Sequence, residues 1–243
     1  MEEIHLASNV LFTIGPIPVT NAILATWLGM LVLIAIAFAV SRNLSLVPQG
    51  IQNVVEGVIE VLLDLVEQVT QDRRRAEQFF PFVVTFFLFI LIVNWMELIP
   101  GYGSILFGGA PLLRSANSDL NTPLALALIS VIGTQIAGIG AIGLAKHVGH
   151  YLNFSGPVEF FVGILHLIGE VAKVISFAFR LFGNVFAGEV LIVVMSFLIP
   201  YFVPVPFYGI EIFVGFIQAL VFTMLTLVFL TIATTPHHEA EGH

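Results

Sequence analysis

At 243 residues, with 58% hydrophobic and only 10% charged side chains and a mean hydropathy of +1.03, the chain is too apolar for a soluble domain. Apolar blocks of membrane-spanning length recur, which marks a polytopic membrane protein. The net charge of −8 argues against nucleic acid as a partner, and the lack of cysteine excludes disulfides and thiolate metal sites.

The N-terminus reads Met1-Glu2-Glu3-Ile4-His5, without the basic region of a signal peptide or the arginines of a transit peptide. The first apolar segment is therefore expected to be retained. Pro16 and Pro18 mark an extended entry within residues 1–20. Residues 21–40 form a first predicted span, followed directly by Arg42. Residues 48–72 differ in kind. Glu56, Glu60, Asp64 and Glu67 recur at helical spacing on one stripe, while Val55, Val58, Leu62 and Val66 fill the rest. Four acids facing lipid would be too costly. The pattern predicts an amphipathic helix on the membrane surface, or one lying against a partner's helix. A polar knot from Gln71 to Glu77 then precedes the second span, 79–99, which is rich in Phe and carries Trp95 at an interfacial position.

From Pro100 to about Asn121 the chain is a Gly/Pro-rich loop. The third span, 122–146, carries Gly133, Gly138, Gly140 and Gly143 among alanines, which predicts close packing against other helices. The apolar run 157–199 would reach roughly 63 Å as a straight helix, about twice the hydrocarbon thickness. Nothing within it breaks a helix, so a steeply tilted span is expected. Residues 201–206 are a Pro-rich turn, and 207–233 returns as a second long helix. The histidines of the tail from Pro236 read as a solvated segment, with metal binding the alternative. The fold class is thus all-α, one membrane domain over 1–243 with five spans and a surface helix, the last two spans long and steeply tilted. Five spans put Arg42, Arg73, Arg74, Arg75 and Lys146 on one side and Arg114 on the other. By the positive-inside rule the N-terminus is outside and the C-terminus inside.

The costliest residue is Arg180, in the middle of the longest apolar run. A guanidinium cannot neutralise itself, and placing one at a bilayer centre costs roughly 2.5–3.5 kcal/mol even on the mildest scale. An arginine that snorkels or makes a structural ion pair is the plainer reading. Its surroundings say more. At about 100° per residue from Arg180, Lys173 falls at about 20°, His166 and Asn184 at about 40°, Glu159 at about 60° and Glu170 at about 80°, while Glu189 falls at about 180°. On the last helix Glu211 and Gln218 share a face, and an antiparallel return brings Glu211 toward Glu189 and Gln218 toward Arg180. Two polar sets, one opening inward and one outward, are separated by a permanent cation. A proton wire cannot run through it, because arginine does not deprotonate.

The run Arg180-Leu181-Phe182-Gly183-Asn184-Val185-Phe186-Ala187-Gly188-Glu189 strongly resembles the signature of subunit a of F-type (rotary) ATP synthases. Ser118-Asp119-Leu120-Asn121-Thr122, the segment from Ile217 through Gln218 to Thr226, and Asn94 with Leu98-Ile99-Pro100-Gly101 resemble further family segments in the same order. The resemblance implies a non-catalytic stator subunit of a proton turbine, without cofactor or metal. Its partners would be a ring of c subunits, peripheral-stalk b subunits, the remaining synthase subunits and the lipid membrane, with no nucleic acid. It implies that Arg180 gates a ring carboxylate, with Asn184 and Gln218 orienting water or the arginine. Glu189, Glu211 and Asp119 would line the outer half-channel, and Glu159, His166, Glu170 and Lys173 the inner one. The expected location is a bacterial plasma (inner) membrane rather than a thylakoid or mitochondrial one. One departure stands out. Many family members pair a carboxylate with a histidine where this chain has Glu189 and Glu211, and two close glutamates titrate as a coupled pair. H⁺ and Na⁺ as coupling ion stay open.

Two other classes fit less well. A secondary transporter using Arg180 as an anion site predicts inverted repeats, and none is visible. An intramembrane protease could use the i,i+4 pair His166 and Glu170, but no His-Glu-x-x-His or Gly-x-Ser-x-Gly motif is present. No phosphate-binding loop appears, so ATP chemistry belongs to partners.

Overall fold

The computed structural model describes residues 8–42, 50–99, 101–107, 109–151, 156–199 and 202–235. The tail histidines lie outside them. The expected extended entry is a paired hairpin, β1 (Val10–Ile14) with β2 (Ile17–Thr20). It leads into α1 (Asn21–Arg42), the first apolar helix, whose buried positions are only Asn21, Ala22, Ala25 and Gly29.

The amphipathic stretch is α2 (Ile51–Thr70). Leu62, Val66 and Thr70 are buried, and Glu56, Glu60 and Asp64 are exposed, as one apolar stripe requires. Leu62 and Val66 pack inside this chain, against α3 (Arg73–Glu97) and a later helix, while Val54, Val58, Ile59 and Val61 stay exposed. The second span was expected from residue 79, and it starts at Arg73 instead. Asp72 caps the helix by accepting from the Arg74 N–H at 2.9 Å, so the polar knot becomes the first helical turns. Arg73 there is bound by Glu67 at 2.7 Å and Glu77 at 3.0 Å.

The following loop carries a short ladder, β3 (Leu106–Phe107) with β4 (Ala110–Pro111). The third span, expected over 122–146, is α4 (Asn121–Ile142) and stops at Gly143. That glycine has φ 90°, a conformation that side-chain-bearing residues rarely adopt, and it redirects the chain into a separate short helix, α5 (Leu144–Tyr151). Lys146 and His147 thus belong to α5 and not to a span.

The long run is one uninterrupted helix, α6 (Pro157–Leu198), of 42 residues. At 1.5 Å per residue it is roughly 63 Å long, so it can lie within a hydrocarbon layer about 30 Å thick only at a steep tilt. The last helix is α7 (Pro204–Thr234), 31 residues. Five helices, α1, α3, α4, α6 and α7, are long and apolar enough to cross a membrane.

α7 is the hub of the bundle, packing on α3, α4, α6 and α2. It runs antiparallel to α3, with Trp95 Nε1 donating to the Ile212 carbonyl at 3.1 Å and Phe86 packed at a tilt against Phe222, 5.4 Å between centroids. It also runs antiparallel to α6, where Phe177 meets Phe222 at 5.0 Å and Phe229 at 5.8 Å. Ile90, Leu181 and Ala219 complete this core without measurable exposure. The glycine face predicted on α4 packs closely at two of its four positions: Gly133 lies against the Phe82 ring and Gly138 against His147 and the Ala233 carbonyl, whereas Gly140 and Gly143 are exposed. Phenylalanine and leucine therefore hold α6 and α7 side by side, and every polar group between them stands out.

Candidate functional site

The polar groups fall into three sets along α6 and α7. The first surrounds a cleft of about 880 Å³ at the end of the bundle carrying the β-ladder loop. Glu97 enters it from the last residue of α3, Glu189 from α6, Glu211 from α7 and Arg114 from the loop. Arg114 Nη2 lies 3.9 Å from Glu189 Oε2, with the two side chains 9% and 34% exposed, and Arg114 Nε donates to Ser118 Oγ at 3.2 Å. The Glu211 carboxylate nestles against the Cα of Gly188, so closely that a Cβ there would overlap it. Both glutamates are thereby brought to one vestibule from adjacent positions on α6 and one turn of α7.

Glu97 Oε2 and Glu189 Oε2 are buried there without a hydrogen-bond partner among the described residues. Such groups are satisfied by water wherever there is room for it. Tyr102 lines the same cleft. Its phenol is pushed up to about 12, by burial first and then by the Glu97 carboxylate, so it remains a neutral hydroxyl. Beneath the cleft, Asn117 Nδ2 donates to Asn94 Oδ1 at 2.7 Å, and Asn94 Nδ2 donates to the Gly215 carbonyl at 3.3 Å.

The second set sits mid-helix. Asn184 Nδ2 donates to Gln218 Oε1 at 2.5 Å, and Gln218, 3% exposed, keeps a buried Nε2 without a partner. Arg180 is one turn back along α6. Its Nη2 donates to Ser176 Oγ at 3.3 Å, and its guanidinium lies 5.9 Å from the Phe177 ring centroid. Among the described residues it makes no ion pair. Around it α6 shows an open face of small residues: Ala172, Ser176 and Ala187 are exposed and Gly183 is half-buried. Glu189 points elsewhere, into the cleft, as its place on the opposite side of the helix required.

The third set lies at the basic end of the bundle. Lys173 Nζ donates to Glu170 Oε1 at 2.6 Å and sits 4.4 Å over the Phe229 ring of α7. Tyr151 and His147 of α5 and Gln135 of α4 join them: His147 Nε2 lies 2.6 Å from Gln135 Oε1, and the Tyr151 hydroxyl reaches both Gln135 and Glu170.

Of the residues singled out from sequence, the structure brings Glu189 and Glu211 to one cleft, joins Asn184 to Gln218, and joins Glu170 to Lys173. It does not bring Asp119 to the cleft. That carboxylate accepts from the Asn121 N–H at 2.9 Å and from its side chain at 2.8 Å, starting α4. Glu159 is exposed and folds back over Gly156, and His166 is exposed on α6. Sequence reasoning missed Glu97, Arg114, Gln135, His147 and Tyr151. An acid ending a span and a lone base facing five on the other side were visible signals for the first two. Gln135 and Tyr151 gave none, because their partners are distant in the chain.

A family model described as ATP synthase A chain matches residues 23–231. The chain is 33% identical to the ATP synthase subunit a of Moorella thermoacetica over 226 residues, covering 93% of this chain and 96% of that one. It is 35% identical to the ATP synthase subunit a 2 of Pelobacter propionicus, over 92% and 90% of the two chains. It is 30% identical to the ATP synthase subunit a of Legionella pneumophila, over 95% and 93%.

Proposed function

The chain belongs to the ATP synthase A chain family, and on that premise we propose that it is the static half of a rotary proton path. It is a non-catalytic subunit of the membrane sector of ATP synthase, and the rest of that complex is its partner. The finer reading concerns how its polar sets move charge. The cleft of Glu97, Glu189 and Glu211 is the outer half-path, and the Glu170–Lys173 set is the inner one. A ring of c subunits rolls past the open face of α6, each presenting a carboxylate at mid-membrane, and the peripheral-stalk b subunits hold the chain still. The membrane is a bacterial plasma membrane, with the N-terminus outside and the basic end of the bundle in the cytoplasm.

Arg180 carries this reading. It is a cation without an acidic partner among the described residues, on a helix face of small side chains that lets another helix approach closely. A ring carboxylate at about 4 Å would be attracted by roughly 4 kcal/mol at an effective dielectric near 20. The carboxylate gives up its proton to the inner path, passes Arg180 charged, and is reprotonated from the outer path. Each elementary charge crossing the membrane is worth about 2.3 kcal/mol per 100 mV, so the cation between the half-paths has to stop direct flow. Asn184 and Gln218, bonded to each other one turn away, hold the guanidinium's surroundings polar. Glu189 and Glu211 accept and pass protons through water in the cleft, which has room for water beside their unpartnered polar atoms.

The test is Arg180→Ala in the assembled complex in inverted membrane vesicles. ATP-driven acidification is expected to vanish while ATP hydrolysis by the catalytic sector persists. Normal acidification by that variant would overturn the reading.

A further inference from the structure

We infer that Tyr151, on the short helix α5, is a positioning residue of the inner half-path, its hydroxyl shared between the Glu170 carboxylate and Gln135. The inference rests on the reading of Glu170 as part of that path.

The argument starts from one hydrogen atom. A tyrosine hydroxyl donates once, and here two acceptors are in reach: Gln135 Oε1 at 3.1 Å and Glu170 Oε1 at 3.4 Å. Each acceptor also has a second donor. Lys173 Nζ is 2.6 Å from Glu170 Oε1, and His147 Nε2 is 2.6 Å from Gln135 Oε1. Because an amide oxygen only accepts, His147 presents Nε2–H to it. The hydroxyl therefore bridges an ionisable pair on α6 and a neutral pair on α4 and α5.

The charge on Glu170 decides where the hydroxyl points. Bonds to an ionised acceptor are roughly twice as strong as neutral ones. With Glu170 ionised, the Tyr151 hydrogen turns to it. With Glu170 protonated, the hydrogen turns to Gln135, and the phenol oxygen accepts from the carboxyl O–H. The phenol does not part with its own proton in this exchange. Burial first, and then Glu170, holds it above the usual tyrosine range. Tyr151 thus bonds Glu170 in both states but more strongly in the ionised one, and so sets the balance between them.

The fold fixes the geometry. Gly143 ends α4, and α5 packs against α4 and α6, where Gly138 leaves room for the His147 ring; a Cβ at Gly138 would meet that ring at 2.8 Å and the Ala233 carbonyl at 3.0 Å. His147 and Tyr151 also meet edge to face, with centroids 5.5 Å apart. Other titratable groups around Glu170 are few. Lys173, His166 and Glu159 lie on α6, and Lys146, His147 and His150 on α5. α4 carries none, and α7 carries Tyr208 and Glu211 only at its far end.

The experiment uses the assembled complex in inverted vesicles, with ATP-driven proton uptake followed against the pH of the exposed, formerly cytoplasmic, face. Tyr151→Phe removes a donor to the ionised carboxylate, and the midpoint of the profile is expected to rise by about half to one pH unit, the equivalent of one net hydrogen bond. Gln135→Met removes the competing acceptor and frees the hydroxyl for Glu170, so the midpoint is expected to fall. Opposite shifts support the positioning role. Equal midpoints in wild type and Tyr151→Phe, or shifts of the same sign in both variants, overturn it. If Tyr151→Phe does not assemble, Gln135→Met decides alone: a fall supports the role, and no change or a rise overturns it. Arg180→Ala in the same vesicles separates the two failures. Lost uptake there, with unshifted Tyr151→Phe, removes only the role of Tyr151; normal uptake there removes the half-path reading with it.

Discussion

The two ends of the α6–α7 pair solve opposite problems. At the cleft end, three carboxylates and one guanidinium surround about 880 Å³, and two buried carboxylate oxygens have no hydrogen-bond partner among the described residues. At the basic end, Glu170, Lys173, Tyr151, Gln135 and His147 bond directly to one another through contacts of 2.6 to 3.4 Å. The first end is built for water, the second for fixed side chains. A wet path tolerates small displacements of any one acid, because water re-forms its bonds at little cost. A network of directly bonded, half-buried side chains tolerates less, because a lost partner leaves a polar group without its fixed bond.

The strongest way to break the comparison is to fill the cleft end. Gly188 leaves room for the Glu211 carboxylate, so Gly188→Leu forces Glu211 off its seat and pushes α7 from α6. Overpacking of this kind costs roughly 1–3 kcal/mol, and a barrier raised by that much slows a step about five- to a hundredfold. Proton uptake per assembled complex is expected to fall by at least about tenfold on that scale. A loss of less than twofold would mean that the space between α6 and α7 is not part of the path.

A finer test asks whether the acids of the cleft act as a group. Glu189→Gln and Glu211→Gln are each expected to slow proton uptake several-fold, because each removes a proton acceptor but leaves its neighbours and the space for water in place. Residues that act as one network are not additive. The double substitution is therefore expected to slow uptake by less than the product of the single effects. Full multiplication would make the two glutamates independent stations rather than one vestibule.

How much of this was legible in the sequence follows the same division. The apolar runs gave the five spans, since twenty apolar residues have few other places to go. The uninterrupted length of α6 was readable for the same reason, and helical periodicity alone put Glu189 on the side away from Arg180. The failures were local or tertiary. The start of α3 was misplaced because Asp72 and three arginines look like loop residues until the cap is seen. The end of α4 was misplaced because the apolar pattern continues through Gly143, and only its left-handed backbone breaks the helix. Asp119 shares a motif with Asn121 and was assigned to the path, whereas its carboxylate is used to start α4. The basic end is the hardest to read. Gln135 and Tyr151 become meaningful only when α5 packs against α4 and α6, and no spacing rule connects residue 135 to 151 and 170.

The smallest expected effect concerns Tyr102, and it separates lining the vestibule from carrying protons in it. Its phenol is pushed up to about 12, by burial first and then by the Glu97 carboxylate, so it binds its proton more tightly in the folded chain than in the unfolded one, where tyrosine titrates near about 10. The sign follows from linkage. A group with a raised folded-state value contributes its full stabilisation below about pH 10 and loses it as pH rises toward about 12. Across the working range Tyr102 is neutral and does not exchange protons, so Tyr102→Phe is expected to leave the uptake rate within about twofold. Above about pH 10 the variant should lose less thermal stability than the wild type, because phenylalanine has no proton to give up. A Tyr102→Phe complex that pumps many-fold more slowly at neutral pH would place the hydroxyl in the proton path itself, and the cleft would then depend on fixed side chains as the basic end does.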